Sequence, residues 1–252
     1  MKNNKILDIQ NIKLNYHSAS GETTAISNMS FDVYENEFLT ILGPSGCGKS
    51  TILSVISGLL KPSAGKVVSN MPAGESAVGY MLQQDHLLEW RTILQNVLLG
   101  AEIQNKPRDK SKLYAEELLR KYGLYDFAES YPRELSGGMR QKAALIRTLA
   151  TSPRLLLLDE PFSALDYQTR INISTEVKNI IKNETKTAIL VSHDISEAIN
   201  LSDRILIFSK RPSYIKKTIK IDEAFKSLTH AKKRKHALFN EYFDTIWSEL
   251  NA

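Results

Sequence analysis

Short apolar runs alternate along this chain with stretches whose apolar residues recur every three or four positions, the pattern of a mostly parallel sheet flanked by helices. FLTIL at residues 38–42 reads as a buried strand, followed by a Gly-rich turn and a helix over KSTILSVISGLL. RLLLLDE, TAILVSH and RILIFSK read as further buried strands bounded by polar or turn residues. Residues 6–33 differ: the alternation in ILDIQNIKLNY and AISNMSFDVYENE predicts antiparallel strands joined as hairpins. From about residue 86 to 150 the strand pattern disappears. LQNVLLGAEIQ, SKLYAEELLRKYG and RQKAALIRTLA carry helical spacing there, so a helical insertion interrupts the α/β core. The last piece, HALFNEYFDTIWSEL, puts Phe239, Phe243, Ile246, Trp247 and Leu250 on one helical face, a stripe suited to core packing or docking, with a membrane-surface role as the rival reading.

Composition narrows the class. The chain has 252 residues, 42% apolar and 24% charged, enough for a sizeable core in one large domain or two small ones. One cysteine excludes a disulfide scaffold and a cysteine-rich zinc cluster. No apolar run approaches the ~20 residues of a membrane span, and MKNNKILDIQNIKLNY has no signal-peptide core. The expectation is a cytoplasmic protein. The net charge of +5 hides an asymmetry: residues 204–235 hold eleven Lys and Arg against Asp222 and Glu223, a local excess of +9. Such a segment suits a solvated surface, an anionic membrane or nucleic acid. It carries no aromatic-interleaved nucleic-acid motif, and no nucleic-acid partner is expected.

Candidate chemistry begins at Gly43-Pro44-Ser45-Gly46-Cys47-Gly48-Lys49-Ser50-Thr51, which fits G-x-x-x-x-G-K-[ST] between a strand and a helix. Its glycines let the backbone wrap a polyphosphate, with consecutive N–H groups aimed at the oxygens from a helix N-terminus. Lys49 is suited to the β- and γ-phosphates and the Ser50 hydroxyl to Mg²⁺. Cys47 reads as a small loop filler, a redox role being the alternative. RLLLLDEP ends a buried strand in Asp159 and Glu160, at the carboxyl edge where α/β ligands bind. Asp159 suits Mg²⁺, and Glu160 suits polarisation of the attacking water.

Leu135-Ser-Gly-Gly-Met-Arg-Gln141 precedes a helix and resembles the signature motif of ATP-binding cassette (ABC) ATPases. The other motifs agree with that family in order and spacing over nearly the whole chain. The resemblance implies a P-loop NTPase (RecA-like) α/β core with an N-terminal antiparallel β subdomain and an inserted helical subdomain. The cassette would span 6–236, with the helical part at about 86–150 and a C-terminal amphipathic helix at 237–252. It implies ATP and Mg²⁺ as ligands. Tyr16 resembles the aromatic that stacks on adenine, a strand-edge aromatic being the alternative. Gln83 resembles the glutamine that senses metal and water, its spacing to Leu87, Leu88 and Trp90 preferred over that of Gln84. Ser163-Ala-Leu-Asp166 resembles the D-loop and His193 the switch histidine at the γ-phosphate. Two cassettes would face head to tail, each ATP lying between the 43–51 loop of one and Ser136-Gly137-Gly138 of the other.

Absent membrane spans, duplicated motifs and a long coiled coil (87 positions separate Lys49 from Ser136) leave the separate ATPase subunit of a membrane importer. YMLQQDHLLEWRTILQNVLLG and the chain's ending resemble the nitrate/sulfonate/taurine-type subfamily, which includes carriers of thiamine precursors. Glu89 departs from the Pro usual before the Trp. Expected partners are a second cassette, transmembrane permease subunits and, indirectly, an extracytoplasmic solute-binding protein, with the chain peripheral on the cytoplasmic membrane face. A regulatory or scaffolding nucleotide-binding module without transport is the alternative.

Overall fold

The computed structural model describes residues 4–18, 21–71 and 78–251. The chain divides into two units, residues 1–72 with 186–252, and residues 73–185.

In the first unit, β1 (Lys5–Ser18) lies between β2 (Gly21–Tyr34) and β4 (Ala64–Ser69), antiparallel to both. The register pairs Leu7 with Val33 and Asn15 with Thr24. Alternation along β2 buries Ala25, Ile26, Met29, Phe31 and Val33, which turns the apolar side of this sheet inward. The predicted 38–42 strand is β3 (Phe38–Leu42), parallel to β7 (Thr187–Ser192) on one side and β8 (Arg204–Phe208) on the other. Every residue of β3 and β7 is buried. A strand covered on both faces favours a mostly apolar run over alternation, and the polar residues it does hold, Thr40, Thr187 and Ser192, are buried as well. The basic strand β9 (Ile215–Lys220) closes the edge, antiparallel to β8.

Helix α1 (Lys49–Ile56) is shorter than the predicted KSTILSVISGLL. Ser57 caps it, and Gly58 at φ +79° takes a conformation that ends a helix. Helix α6 (Ile195–Leu201), the short helices α7 (Glu223–Lys226) and α8 (His230–Arg234), and α9 (Ala237–Asn251) complete this unit. The aromatic stripe of α9 divides. Phe239 and Ile246 are buried with Leu42, Ile199, Ile207 and Phe225, whereas Trp247 is 57% exposed.

In the second unit β5 (Val78–Met81) runs parallel to β6 (Leu155–Asp159). Between them come α2 (Ile93–Ile103), α3 (Arg108–Lys121) and α4 (Gly137–Leu149), and after β6 comes α5 (Tyr167–Asn183). The helical spacing read from residues 86–150 is thus realised as three α-helices with no strand between residues 86 and 150. Thr92 and Gln95 form a reciprocal capping box on α2, while Ser136 and Asp166 cap α4 and α5. No helix among the described residues is long and apolar enough to cross a membrane.

Candidate nucleotide site

The 43–51 segment follows β3 directly and runs into α1. Gly48, the residue before the helix, has φ +109°, a conformation disfavoured for side chains with a Cβ. No side chain caps α1, so the donors of its first turn, with the positive end of the helix dipole, point toward whatever the loop encloses. Lys49 is 7% exposed, and its Nζ donates to the carbonyls of Gly43 (2.9 Å) and Pro44 (3.1 Å). The ammonium is thereby folded over the loop, anchored by weak neutral acceptors that a phosphate oxygen would outcompete. Ser50 is exposed on the same turn. Tyr16, from β1, is 42% exposed, and its hydroxyl lies 3.3 Å from Thr51 Oγ1, so its ring stands beside this helix. Cys47 is buried; burial pushes its thiol up, with the Lys49 charge opposing, which makes it a poor redox group.

His193 follows β7 and is exposed. The turn that carries it is held on both sides. Ser192 Oγ donates to Glu197 and accepts from the Asp194 N–H (3.0 Å), and Asp194 Oδ1 accepts from the Glu197 N–H (3.0 Å).

The second unit carries Gln83, Ser136, Gly137, Gly138, Asp159, Glu160 and Asp166. Asp159 ends β6 at 7% exposure, with the Tyr80 hydroxyl donating to Oδ2 at 3.4 Å. Glu160 has φ +45°. Its carbonyl accepts from both the N–H (3.2 Å) and the hydroxyl (3.0 Å) of Ser163. Asp166 Oδ1 accepts from the Thr169 N–H at 3.1 Å, and hydrogen bonding from Thr169 holds its carboxyl below the usual range. Ser136 Oγ accepts from the Met139 N–H at 3.4 Å, leaving the Ser136 to Gly138 turn at the open end of α4.

Gln83 is exposed just beyond β5. The segment after it is tethered to the signature helix, a linkage that no local motif announced. Arg140 Nε donates to Asp85 Oδ2 (3.2 Å), and Arg147 donates to the carbonyls of His86 (2.6 Å) and Asp85 (2.7 Å). Asn96, fully buried on α2, accepts from the Leu88 N–H and donates to the carbonyls of Leu88, Arg91 and Thr92. One side chain thus sets the 88–92 loop, with Leu87 inward and Trp90 74% exposed. The only sequence signal for Asn96 was a polar residue in the apolar face of its helix.

The residues that the sequence assigns to Mg²⁺ offer a hydroxyl (Ser50) in the first unit and an amide oxygen (Gln83) and a carboxylate (Asp159) in the second. All are hard oxygen ligands, the type this cation selects.

The ABC transporter family profile matches residues 26–163, more than half of the chain. An uncharacterized ABC transporter ATP-binding protein of Bacillus subtilis, YtlC, is 46% identical over 249 residues, covering 98% of this chain and 96% of that protein. The formylaminopyrimidine import ATP-binding protein ThiZ of Halalkalibacterium halodurans is 42% identical over 208 residues, 82% of this chain and 81% of its own length. Among solved structures, an ATP-binding cassette in a dimeric post-hydrolysis state with ADP and Pi bound matches with a TM-score of 0.72. It is 30% identical and covers 86% of this chain and 99% of that one. With the phosphate loop on α1, the two-acid end of β6 and a capped signature turn on α4 all in this chain, it belongs to the ABC transporter family, among its ATPases.

Proposed function

We propose that this chain hydrolyses ATP to drive import of a small solute, of the nitrate, sulfonate, taurine or thiamine-precursor kind, through a separate permease. The observation that carries this reading is the 42% identity to a formylaminopyrimidine import ATPase across about four-fifths of both chains. In this reading Tyr16 stacks on the adenine, and the 43–51 backbone and Lys49 hold the β- and γ-phosphates. Ser50, Asp159 and Gln83 would hold Mg²⁺, which would supply charge neutralisation for the phosphates. Glu160 polarises the attacking water, and His193 steadies the γ-phosphate. Ser136, Gly137 and Gly138 complete the ATP site of a second copy, and Asp166 lies in the D-loop that accompanies it. The dimeric form of the ADP- and Pi-bound relative supports this pairing.

The 85–91 segment is the proposed permease contact. Trp90 and Glu89 are exposed on a loop that Asn96 holds in shape, and an aromatic with a charged rim is the composition of an interaction hot spot. The test pairs copurification with Glu89→Arg. A multi-span permease should copurify with the wild type from membranes. The variant should lose permease association and transport in reconstituted vesicles while its isolated ATPase rate stays within about twofold, as for a surface change within ±0.5 kcal/mol. Bulk cytosolic behaviour with no permease favours a regulatory nucleotide-binding module. Equal loss of transport and isolated ATPase activity puts Glu89 in the catalytic machinery instead.

A further inference from the structure

The basic segment at 204–235 is only partly absorbed by the fold. Arg204 pairs with Glu37, Lys217 with Glu249, and Lys226 with Asp203 and Glu223. Lys210 and Arg211, in the turn between β8 and β9, are exposed and make no ion pair or side-chain hydrogen bond among the described residues. Both line a cavity of about 510 Å³ within the first unit, inside the size range of small-molecule sites. The accessible apolar lining is Leu250, Pro212 and the half-exposed ring of Tyr214, while Phe208 lies fully buried beneath. Lys216 and Glu249 also line it and engage each other, Lys216 donating to the Glu249 carbonyl near the end of α9 and standing 4.0 Å from its carboxylate, which leaves Lys210 and Arg211 as the unmatched charges of the lining. Two cations with no anionic partner beside apolar surface form a site whose missing complement is negative charge on an apolar body.

We infer that this cavity binds a small organic anion, an apolar body carrying a phosphate, sulfonate or carboxylate head, with Lys210 and Arg211 taking the head and Leu250, Pro212 and the Tyr214 ring the body.

The cavity touches the nucleotide machinery through packing. Pro44 of the phosphate loop is part of its lining. Gly43 lies so close beneath that a Cβ there would sit 2.8 Å from Cys47 Sγ and 3.0 Å from Phe208 Cβ. Ser213, from the same turn, is buried, donates its N–H to the Ala25 carbonyl (3.0 Å) and accepts from the Ser27 N–H (3.0 Å). The turn is therefore pinned to β2 on one side and abuts the phosphate loop on the other. An anion seated here would bias the phosphate loop, and by linkage ATP would alter the anion's affinity by the same factor.

The experiment uses the full chain with saturating ATP and Mg²⁺, in the Glu160→Gln background so that ATP persists, with benzenesulfonate, phenyl phosphate and benzoate as probes and benzyl alcohol as the neutral control. Ligand-observed NMR should give saturable binding of at least one anion with a dissociation constant on the order of 1 mM, as for probes of about ten heavy atoms. Affinity should fall tenfold or more in Lys210→Ala/Arg211→Ala, a surface pair whose folding is checked by thermal unfolding. Benzyl alcohol should not bind. Absence of saturable anion binding, or affinity unchanged in the double variant, would each overturn the assignment. Equal binding of benzyl alcohol would reduce it to an apolar patch and overturn it as well.

Discussion

Glu160 separates catalysis from folding in one residue. Its carboxylate is the proposed polariser of the attacking water, while its backbone sits at φ +45° and takes two hydrogen bonds from Ser163. Replacing Glu160 with Gln keeps size and backbone geometry, so stability should stay within about 0.5 kcal/mol. Loss of the carboxylate removes a contribution of ~10²–10⁴-fold, roughly 3–5 kcal/mol at the barrier. Turnover should collapse while ATP binding persists, and ATP-bound dimers should accumulate. The backbone makes an independent forecast. Glu160→Ala and Glu160→Gly delete the same carboxylate, but alanine keeps the Cβ strain of a positive φ, about 1–2 kcal/mol. Glycine relieves it at an entropic cost of roughly 0.5–1 kcal/mol. The glycine variant should therefore be the more stable of the two inactive proteins by about 1 kcal/mol, or ~2–4 °C in Tm for a chain of this size. ATPase rate by phosphate release, nucleotide binding by equilibrium titration and Tm by scanning calorimetry settle both arms. A Gln variant that keeps more than about a third of wild-type turnover, well outside the general-base range, refutes the assignment. A Gly variant clearly less stable than the Ala variant refutes the strain.

Three further outcomes are expected. Mixed Lys49→Ala and Ser136→Arg proteins, each inactive alone, should recover part of the ATPase activity, because a heterodimer regains one intact site; no recovery in proven heterodimers argues against independent shared sites. Burial lowers the Lys233 amine from its ordinary 10.5 to about 8. The folded state then binds fewer protons than the unfolded one between those values, so stability rises with pH across that window; the Tm difference between Lys233→Met and wild type should be constant below pH 8 and shift in favour of the wild type toward 10.5, and a flat difference would contradict this. Ile246→Ala, at a fully buried position of α9, should cost about 2–5 kcal/mol, whereas Trp247→Ala, 57% exposed, should cost less than about 1 kcal/mol; thermal unfolding checks whether that order holds.

Some of this protein was legible in one dimension because its cause is local. The candidate phosphate loop is nine consecutive residues, and the structure places them between β3 and α1, the strand–turn–helix context that the motif predicts. The mostly apolar, non-alternating runs at residues 38–42, 155–159 and 187–192 became fully buried strands because solvent is excluded from both faces. Ser136 and Asp166 cap helices that begin one residue later, again a contact of short range. Other features depend on which distant segments fold together. Tyr16 meets Thr51 across 35 positions, and Asp85 meets Arg140 across 55. Periodicity marked the α9 stripe but could not separate buried Ile246 from exposed Trp247, since only the curvature of the surface beneath a helix decides how much of its face is covered. Nor could composition tell that Arg204 finds Glu37, 167 positions away, while Lys210 and Arg211 find no acid among the described residues. A charge's partner is chosen by through-space distance, and that distance exists only after the chain has closed on itself.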